Sequence, residues 1–205
     1  MTALGKHNSK TKLLNAALQV IRSKGYAATT VEDICQHARV TKGSFFHHFK
    51  TKDELALEAI AHWNTITGAY FASASYHKAT DPLDRILGYV DFRGAILTGE
   101  LPDYTCLLGT LVQEIYASHP DIRAACDAGT AAHIAEITRD IELAKKRYTP
   151  RASWSANSLG YFIQSVLQGA FIFAKAKQGP DVVQESLAHL RRYIKVLFKP
   201  AKHET

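Results

Sequence analysis

The sequence predicts an all-α protein, a three-helix head at the N-terminus on a larger helical body, with about nine helices in total. Three observations predict it. Apolar residues recur at three- and four-residue spacing almost throughout, and no run alternates with the period of a strand. Helix start signals are repeated, a Thr or an Asp beside a Pro standing ahead of nearly every apolar run. Two of the runs near the N-terminus are short and three residues apart, so their helices cross steeply instead of lying alongside one another.

Leu14, Ala17, Leu18 and Ile21 form the first apolar stripe, ended by Gly25 at a C-cap. Thr30 opens the next helix: its hydroxyl caps free amides, and Asp33 suits the positive end of the dipole. Val31, Ile34, Cys35 and Ala38 form its inner face. Thr41 is a further N-cap, for a helix through Phe49. There Phe45 and Phe49, one turn apart, share the inward face and leave Lys42, Gly43, Ser44 and His47 for the other. That outward face is basic, small and hydrogen-bonding, the chemistry that approaches phosphates and base edges in a major groove.

Thr51 with Asp53 and Glu54 caps a long helix to the neighbourhood of Tyr76. Asp81-Pro82 starts one to near Thr98, Pro102-Asp103 one through Tyr116, and Pro120-Asp121 one through Tyr148. Pro150 and Gly179-Pro180-Asp181 bracket the last two. The last carries Val183, Leu187, Leu190, Ile194 and Leu197 at 4-3-4-3 spacing, and the helix before it is apolar nearly all round. Such helices form either an internal core pair or the interface of a two-fold dimer, and these five residues are expected at a dimer interface.

Charge is divided unevenly. Residues 1–52 hold nine Lys and Arg against two acids, +7, whereas the other 153 residues hold sixteen against seventeen, −1. A basic segment on a neutral body is the footprint of a polyanion partner. No apolar run is long enough to span a bilayer and no signal peptide is evident, which predicts a cytoplasmic protein without membrane partners. Three widely spaced cysteines, Cys35, Cys106 and Cys126, give neither a disulfide framework nor a zinc pattern. His47 and His48 are adjacent and diverge on a helix, so they do not chelate one metal together. No metal or cofactor is expected.

The segment Thr29–Leu55, TTVEDICQHARVTKGSFFHHFKTKDEL, resembles the DNA-binding signature of TetR-family transcriptional regulators. The Thr-Val-Glu-Asp-Ile opening, the Val40–Ser44 turn into the second short helix, and His47-His48-Phe49 followed by Lys52-Asp53-Glu54-Leu55 carry the resemblance. It implies a helix-turn-helix domain over residues 1–53 and a ligand-binding and dimerisation domain over residues 54–205. It implies DNA contacts from Thr30, Thr41, Lys42, Gly43, Ser44, His47 and Lys52, with Lys10 and Lys12 as phosphate neighbours. Phe46 stands where the family usually has Tyr; without the hydroxyl it is left to pack against sugar. The expected partners are an inverted-repeat operator in double-stranded DNA, a small-molecule inducer and a second copy of the chain.

The resemblance also implies an inducer pocket among the body helices, for which Trp63, Phe92, Cys106, Thr110, Phe171 and Lys175 are the candidates. An aromatic wall suits a flat or hydrophobic ligand. Thr105-Cys106-Leu107-Leu108 with Glu114, and Gly169-Ala170 through Ala174-Lys175, are similar to stretches of a TetR subgroup, some of whose members respond to electrophiles or oxidants through a thiol. Thr105 replaces a glycine of that pattern. Cys106 is expected one turn inside its helix, where the dipole and a neighbouring Lys175 would favour thiolate; the alternative is a buried packing cysteine. The expected function is a transcriptional repressor, not an enzyme, released from its operator by a small hydrophobic ligand or by thiol modification. The competing classes are a thiol-dependent enzyme, for which no base is marked beside Cys106 and no catalytic motif is present, and an architectural DNA-binding protein without an effector.

Overall fold

Helix α1 (Ala3–Lys24) ends where Gly25 takes a φ of +85°, a left-handed conformation that a side chain disfavours, while its N–H still reaches the Ile21 carbonyl at 2.9 Å. Helix α2 (Val31–Ala38) opens on a complete capping box: the Thr30 hydroxyl accepts the Asp33 N–H at 3.1 Å, and the Asp33 carboxylate accepts the Thr30 N–H at 2.7 Å. It closes on Arg39 at φ 54°, a left-handed conformation that costs a residue with a Cβ about 1–2 kcal/mol. The Arg39 N–H offsets part of that cost by reaching the Cys35 and Gln36 carbonyls. Two residues later Thr41 caps α3 (Lys42–His48), its hydroxyl accepting the Ser44 N–H at 3.2 Å. The computed structural model describes residues 3–199, with side chains from Ser9 onward, so the side chain of Lys6 lies outside the described residues.

Beyond the head follow α4 (Lys52–Ala72), a 3-10 turn (Ser75–Lys78), α5 (Pro82–Ala95), α6 (Leu101–Tyr104), α7 (Leu107–Ile115), α8 (Pro120–Tyr148), α9 (Ala156–Lys177) and α10 (Asp181–Leu197). The described residues thus form ten α-helices and contain no strand, and the all-α expectation holds. No helix among them is long and apolar enough to cross a membrane. Two expected helices are broken. The one expected to reach Tyr76 stops at Ala72 and continues as the 3-10 turn. The one expected from Pro102 through Tyr116 is divided into α6 and α7, because Cys106 leaves helical conformation (φ −84°, ψ 125°) to become the N-cap of α7. The Arg22 guanidinium holds this break by donating to the Thr105 carbonyl at 3.2 Å.

The chain divides into two compact units. The first takes in Met1–Ala69 and Thr105–Thr130. Its core joins Leu14, Leu18 and Ile21 of α1, Ile34 of α2, Phe45 of α3, Phe49, Leu55 of α4 and Leu107 and Leu111 of α7. The rings of Phe45 and Phe49, 5.7 Å apart, are almost wholly buried, each burial worth about 1.5–3 kcal/mol. The second unit takes in Tyr70–Tyr104 and Ala131–Thr205, where α10 packs on α9 and α5.

This packing corrects the expected dimer seam. Val183, Leu187, Leu190 and Ile194 are at most 4% exposed inside their own chain, and Leu197 is half-buried. Seven-residue spacing marks a helix with one apolar side, and that pattern is the same whether the covering helix belongs to the same chain or to another. The apolar residues that α9 and α10 leave exposed are different ones: Tyr161, Phe162, Ile172 and Phe173 on α9, Tyr193 and Val196 on α10.

Candidate DNA-binding surface and body sites

Burial of Phe45 and Phe49 orients α3. With those rings inward, Lys42, Gly43, Phe46 and His47 are exposed together, with Ser44 half-buried between them. Thr30 and Thr41, the two N-caps, are also exposed. Phe46 is 58% exposed, a phenyl ring held in water at the surface of the head. His48 turns the other way and shares a hydrogen bond of 2.8 Å with the Ser9 hydroxyl.

The basic residues of the head are not all equally available. Lys42 pairs with Glu32 at 2.9 Å, an exposed contact that a phosphate can replace. Lys24 pairs with Asp33 and Lys10 with Glu58, each at 2.6 Å. Lys52, expected at a phosphate, donates to the Tyr26 and Thr29 carbonyls at 3.0 Å each and stands 4.1 Å from the centre of the Tyr26 ring. It therefore ties the start of α4 to the α1–α2 loop. Arg39 and Lys50, exposed on either side of α3, were not singled out by periodicity, because each falls in a turn. Their charge was the available signal.

A second set of contacts links this head to α7. Glu114 accepts the Tyr26 N–H at 2.5 Å and the Ala27 N–H at 2.9 Å. The Tyr26 hydroxyl donates to Asp53, and burial followed by that carboxylate raises its pKa. The His119 ring lies edge-on to Tyr26 at 5.3 Å and 3.8 Å from the Asp53 carboxylate. At the other end of α7, buried Arg22 donates to Leu18 and Thr105 carbonyls and covers the Trp63 ring at 4.8 Å.

The six expected pocket residues are divided between the two units. Trp63, Cys106 and Thr110 belong to the first, Phe92, Phe171 and Lys175 to the second. Cys106 is half-buried, and its sulfur accepts the Gly109 N–H at 3.5 Å. It is thus the cap itself, which corrects its expected place one turn inside the helix. The Thr110 hydroxyl donates back to the Cys106 carbonyl at 2.9 Å. The other thiols are shielded: burial pushes Cys126 up to about 12, with Cys106 nearby adding to the effect, and raises Cys35.

In the second unit Phe92 packs with Tyr70, Phe71 and Tyr76 at ring separations of 5.3–5.8 Å. Next to them lies a polar group that periodicity did not reveal. Tyr89 shares a hydrogen bond of 2.9 Å with His133 Nε2, and the Gln164 amide donates to the same phenol oxygen at 2.7 Å. These three come from α5, α8 and α9, so only the fold assembles them.

Two short capped helices, the second with a buried aromatic face and an exposed basic one, define a helix-turn-helix DNA-binding protein. Residues 13–59 match the family model for bacterial regulatory proteins of the tetR family. That segment, the helix-turn-helix with its flanking helices, is similar to the DNA-binding domain of the TetR family of transcriptional regulators. The chain is 32% identical to the transcriptional regulator AcuR of Cereibacter sphaeroides over 113 residues, 55% of this chain and 52% of that one, so the match spans about half of that relative. It is 22% identical to the transcriptional repressor NemR of Escherichia coli K12 over 199 residues, 92% of this chain and 95% of that one. The crystal structure of a regulatory protein TetR from Rhodobacter sphaeroides superposes with a TM-score of 0.79 at 25% identity, covering 89% of this chain and 97% of that one.

Proposed function

We propose that the chain is a dimeric cytoplasmic repressor in which residues 1–53 bind an inverted-repeat operator and residues 54–205 bind an inducer and hold the dimer together. The observation that carries the reading is the exposed face of α3, with Lys42, Gly43, Phe46 and His47 presented beside Thr30 and Thr41. Gly43 lets the backbone approach a phosphate or base edge, the ammonium of Lys42 exchanges Glu32 for phosphate, and Ser44 and His47 reach base edges. Lys52 acts by holding the loop before Thr30, and its remaining ammonium N–H faces the DNA backbone. The repressor named among the relatives supports the sign of the regulation.

Release by thiol modification acts through α7, and release by ligand through the body helices. Cys106 caps α7, and α7 carries Glu114, which grips the amides of Tyr26 and Ala27 ahead of α2. Oxidation or alkylation of the sulfur removes an N-cap, a loss on the order of 1 kcal/mol at that helix start, and adds bulk in a packed region. Release follows only where the modified chain fits the free state better than the DNA-bound one. A gel shift with the DNA flanking the coding sequence tests the reading, run for wild type, Cys106→Ser and Lys175→Ala with and without a quinone. Sequence-selective binding lost in wild type and kept in Cys106→Ser supports thiol release. Equal sensitivity of the two assigns release to a reversible ligand, and no sequence-selective binding refutes the repressor.

A further inference from the structure

Arg93 on α5 is half-buried, and its guanidinium stands over the rings of Phe71, at 5.3 Å, and Phe171, at 5.7 Å. It makes no hydrogen bond and no ion pair among the described residues. The contrast within the same unit is Arg85, whose guanidinium meets Asp140 at 2.7 Å with both side chains under a fifth exposed. Aromatic stacking covers the faces of a guanidinium but leaves its in-plane N–H donors unserved, and those donors are spaced to grip both oxygens of a carboxylate.

A second donor lies beside the same phenyl ring. The His133 imidazole meets Phe71 edge-on at 4.8 Å. Burial, with the charge of Arg93 added, depresses its pKa to about 4, so it is neutral at pH 7 and carries one N–H. Tyr89 and His133 Nε2 share the 2.9 Å hydrogen bond, and in the tautomer in which Nε2 accepts the phenol proton the imidazole N–H stands on Nδ1. Nδ1 makes no hydrogen bond among the described residues. Arg93 and His133 thus both meet the Phe71 ring, whose aromatic neighbours are half-buried Phe92 and exposed Tyr70, with half-buried Tyr76 against Phe92. Two in-plane donors and apolar walls together match an anion with a short hydrophobic tail, whereas an inorganic anion would leave the rings unused.

We propose that Arg93 and His133 form the binding site for a small organic carboxylate, its oxygens on the Arg93 N–H edge and the His133 N–H, its tail against Phe71, Phe92 and Tyr76. This deepens, and rests on, the reading of the body as a ligand-binding domain. It narrows the inducer from a flat hydrophobic molecule to an anionic one.

The test is calorimetric titration of the full-length protein, without DNA, with benzoate and propionate and with their uncharged amides. Benzoate or propionate is expected to bind at least about tenfold tighter than its amide, and Arg93→Gln to erase that preference. The Arg93→Gln chain should keep the helical circular dichroism and the melting temperature of the wild type, which reports that it is folded. Arg93→Lys keeps the charge without the fork and should retain a weakened preference for the acid. Equal affinity for acid and amide, an unchanged preference in Arg93→Gln, or no binding of either acid at millimolar concentration would overturn the site. A gel shift with benzoate keeps the two readings apart: binding that leaves the DNA complex intact upholds the site while refuting release through it.

Discussion

The carboxylate of Glu114, on α7, accepts the backbone N–H of Tyr26, at the start of the α1–α2 loop, at 2.5 Å. Eighty-eight residues separate the two. The same carboxylate accepts the Ala27 N–H, so one side chain serves two loop amides that no secondary structure would otherwise use. A carboxylate on two amides is a charge-assisted pair of bonds. Glu114→Gln is expected to keep one acceptor, lose the charge and lower stability by about 1–2 kcal/mol, read by denaturant melting.

Gly25 supplies an independent check on that loop. Its φ of +85° disfavours any side chain, and a Cβ there would stand 2.9 Å from Glu114 Oε2. Gly25→Ala should cost about 1–2 kcal/mol from the backbone alone. Because the new methyl also displaces the Glu114 carboxylate, the two substitutions share one contact. The double variant Gly25→Ala with Glu114→Gln should therefore lose less stability than the sum of the singles, and strict additivity would show that the contact is not made in solution.

Lys42 and Lys52 lie ten residues apart, and the structure separates their roles. Among the described residues Lys42 holds only an exposed pair with Glu32. Lys42→Gln should leave the melting temperature unchanged, weaken DNA binding across sequences and flatten the salt slope by about one counterion. Glu32→Gln frees the same ammonium and should tighten binding. Lys52 instead bridges two carbonyls over the Tyr26 ring, so Lys52→Gln should lower stability by about 1–2 kcal/mol before any effect on DNA is considered.

Lys52 also illustrates what was legible in the sequence and what was not. The caps at Thr30 and Thr41, the inward pair Phe45 and Phe49 and the exposed Lys42–Gly43 stretch are local, decided by residues three or four apart. Spacing therefore revealed them. The destination of the Lys52 ammonium depends on where the Tyr26–Thr29 loop lies, and the capping role of Cys106 depends on Arg22 reaching Thr105 from far along the chain. The Tyr89–His133–Gln164 group is assembled from three helices and has no signature on any one of them. The α10 seam was legible as a one-sided apolar helix, but a helical period does not name the partner that covers it.

His133 gives the pH prediction. Its pKa lies at about 4 in the folded chain against an ordinary 6.5, with burial the main cause. Between those values the unfolded chain binds the extra proton and the folded chain does not. The neutral imidazole's contribution is therefore complete above pH 6.5 and is lost progressively as pH falls towards 4. The loss should amount to about 2–3 kcal/mol, as the difference in stability between wild type and His133→Gln followed from pH 7 to pH 4. A wild-type profile parallel to that of His133→Gln would mean that the imidazole is solvated in the native state.

The dimer prediction turns on which face of the last two helices is free. Leu190 is 3% exposed within its own chain, against 58% for Phe173 and 64% for Val196. Phe162 and Tyr193, from α9 and α10, meet at a ring separation of 5.2 Å and are both exposed, so the outer apolar residues form one surface across the two helices. Covering such a surface with its own copy is the low-cost route to a two-fold dimer, since one patch serves both subunits. A charge at Leu190 enters the core of a single chain and has no partner there, so Leu190→Asp should give an unfolded or aggregated protein. A charge on the outer face meets water when the chain is alone and is buried only on association. Phe173→Asp with Val196→Asp should therefore yield a folded monomer, with helical circular dichroism kept and half the mass by sedimentation. That monomer should still bind a half-site weakly and lose high affinity for the inverted repeat, because two linked heads gain by effective concentration what one head lacks. A dimer that survives both outer substitutions would move the interface away from α9 and α10.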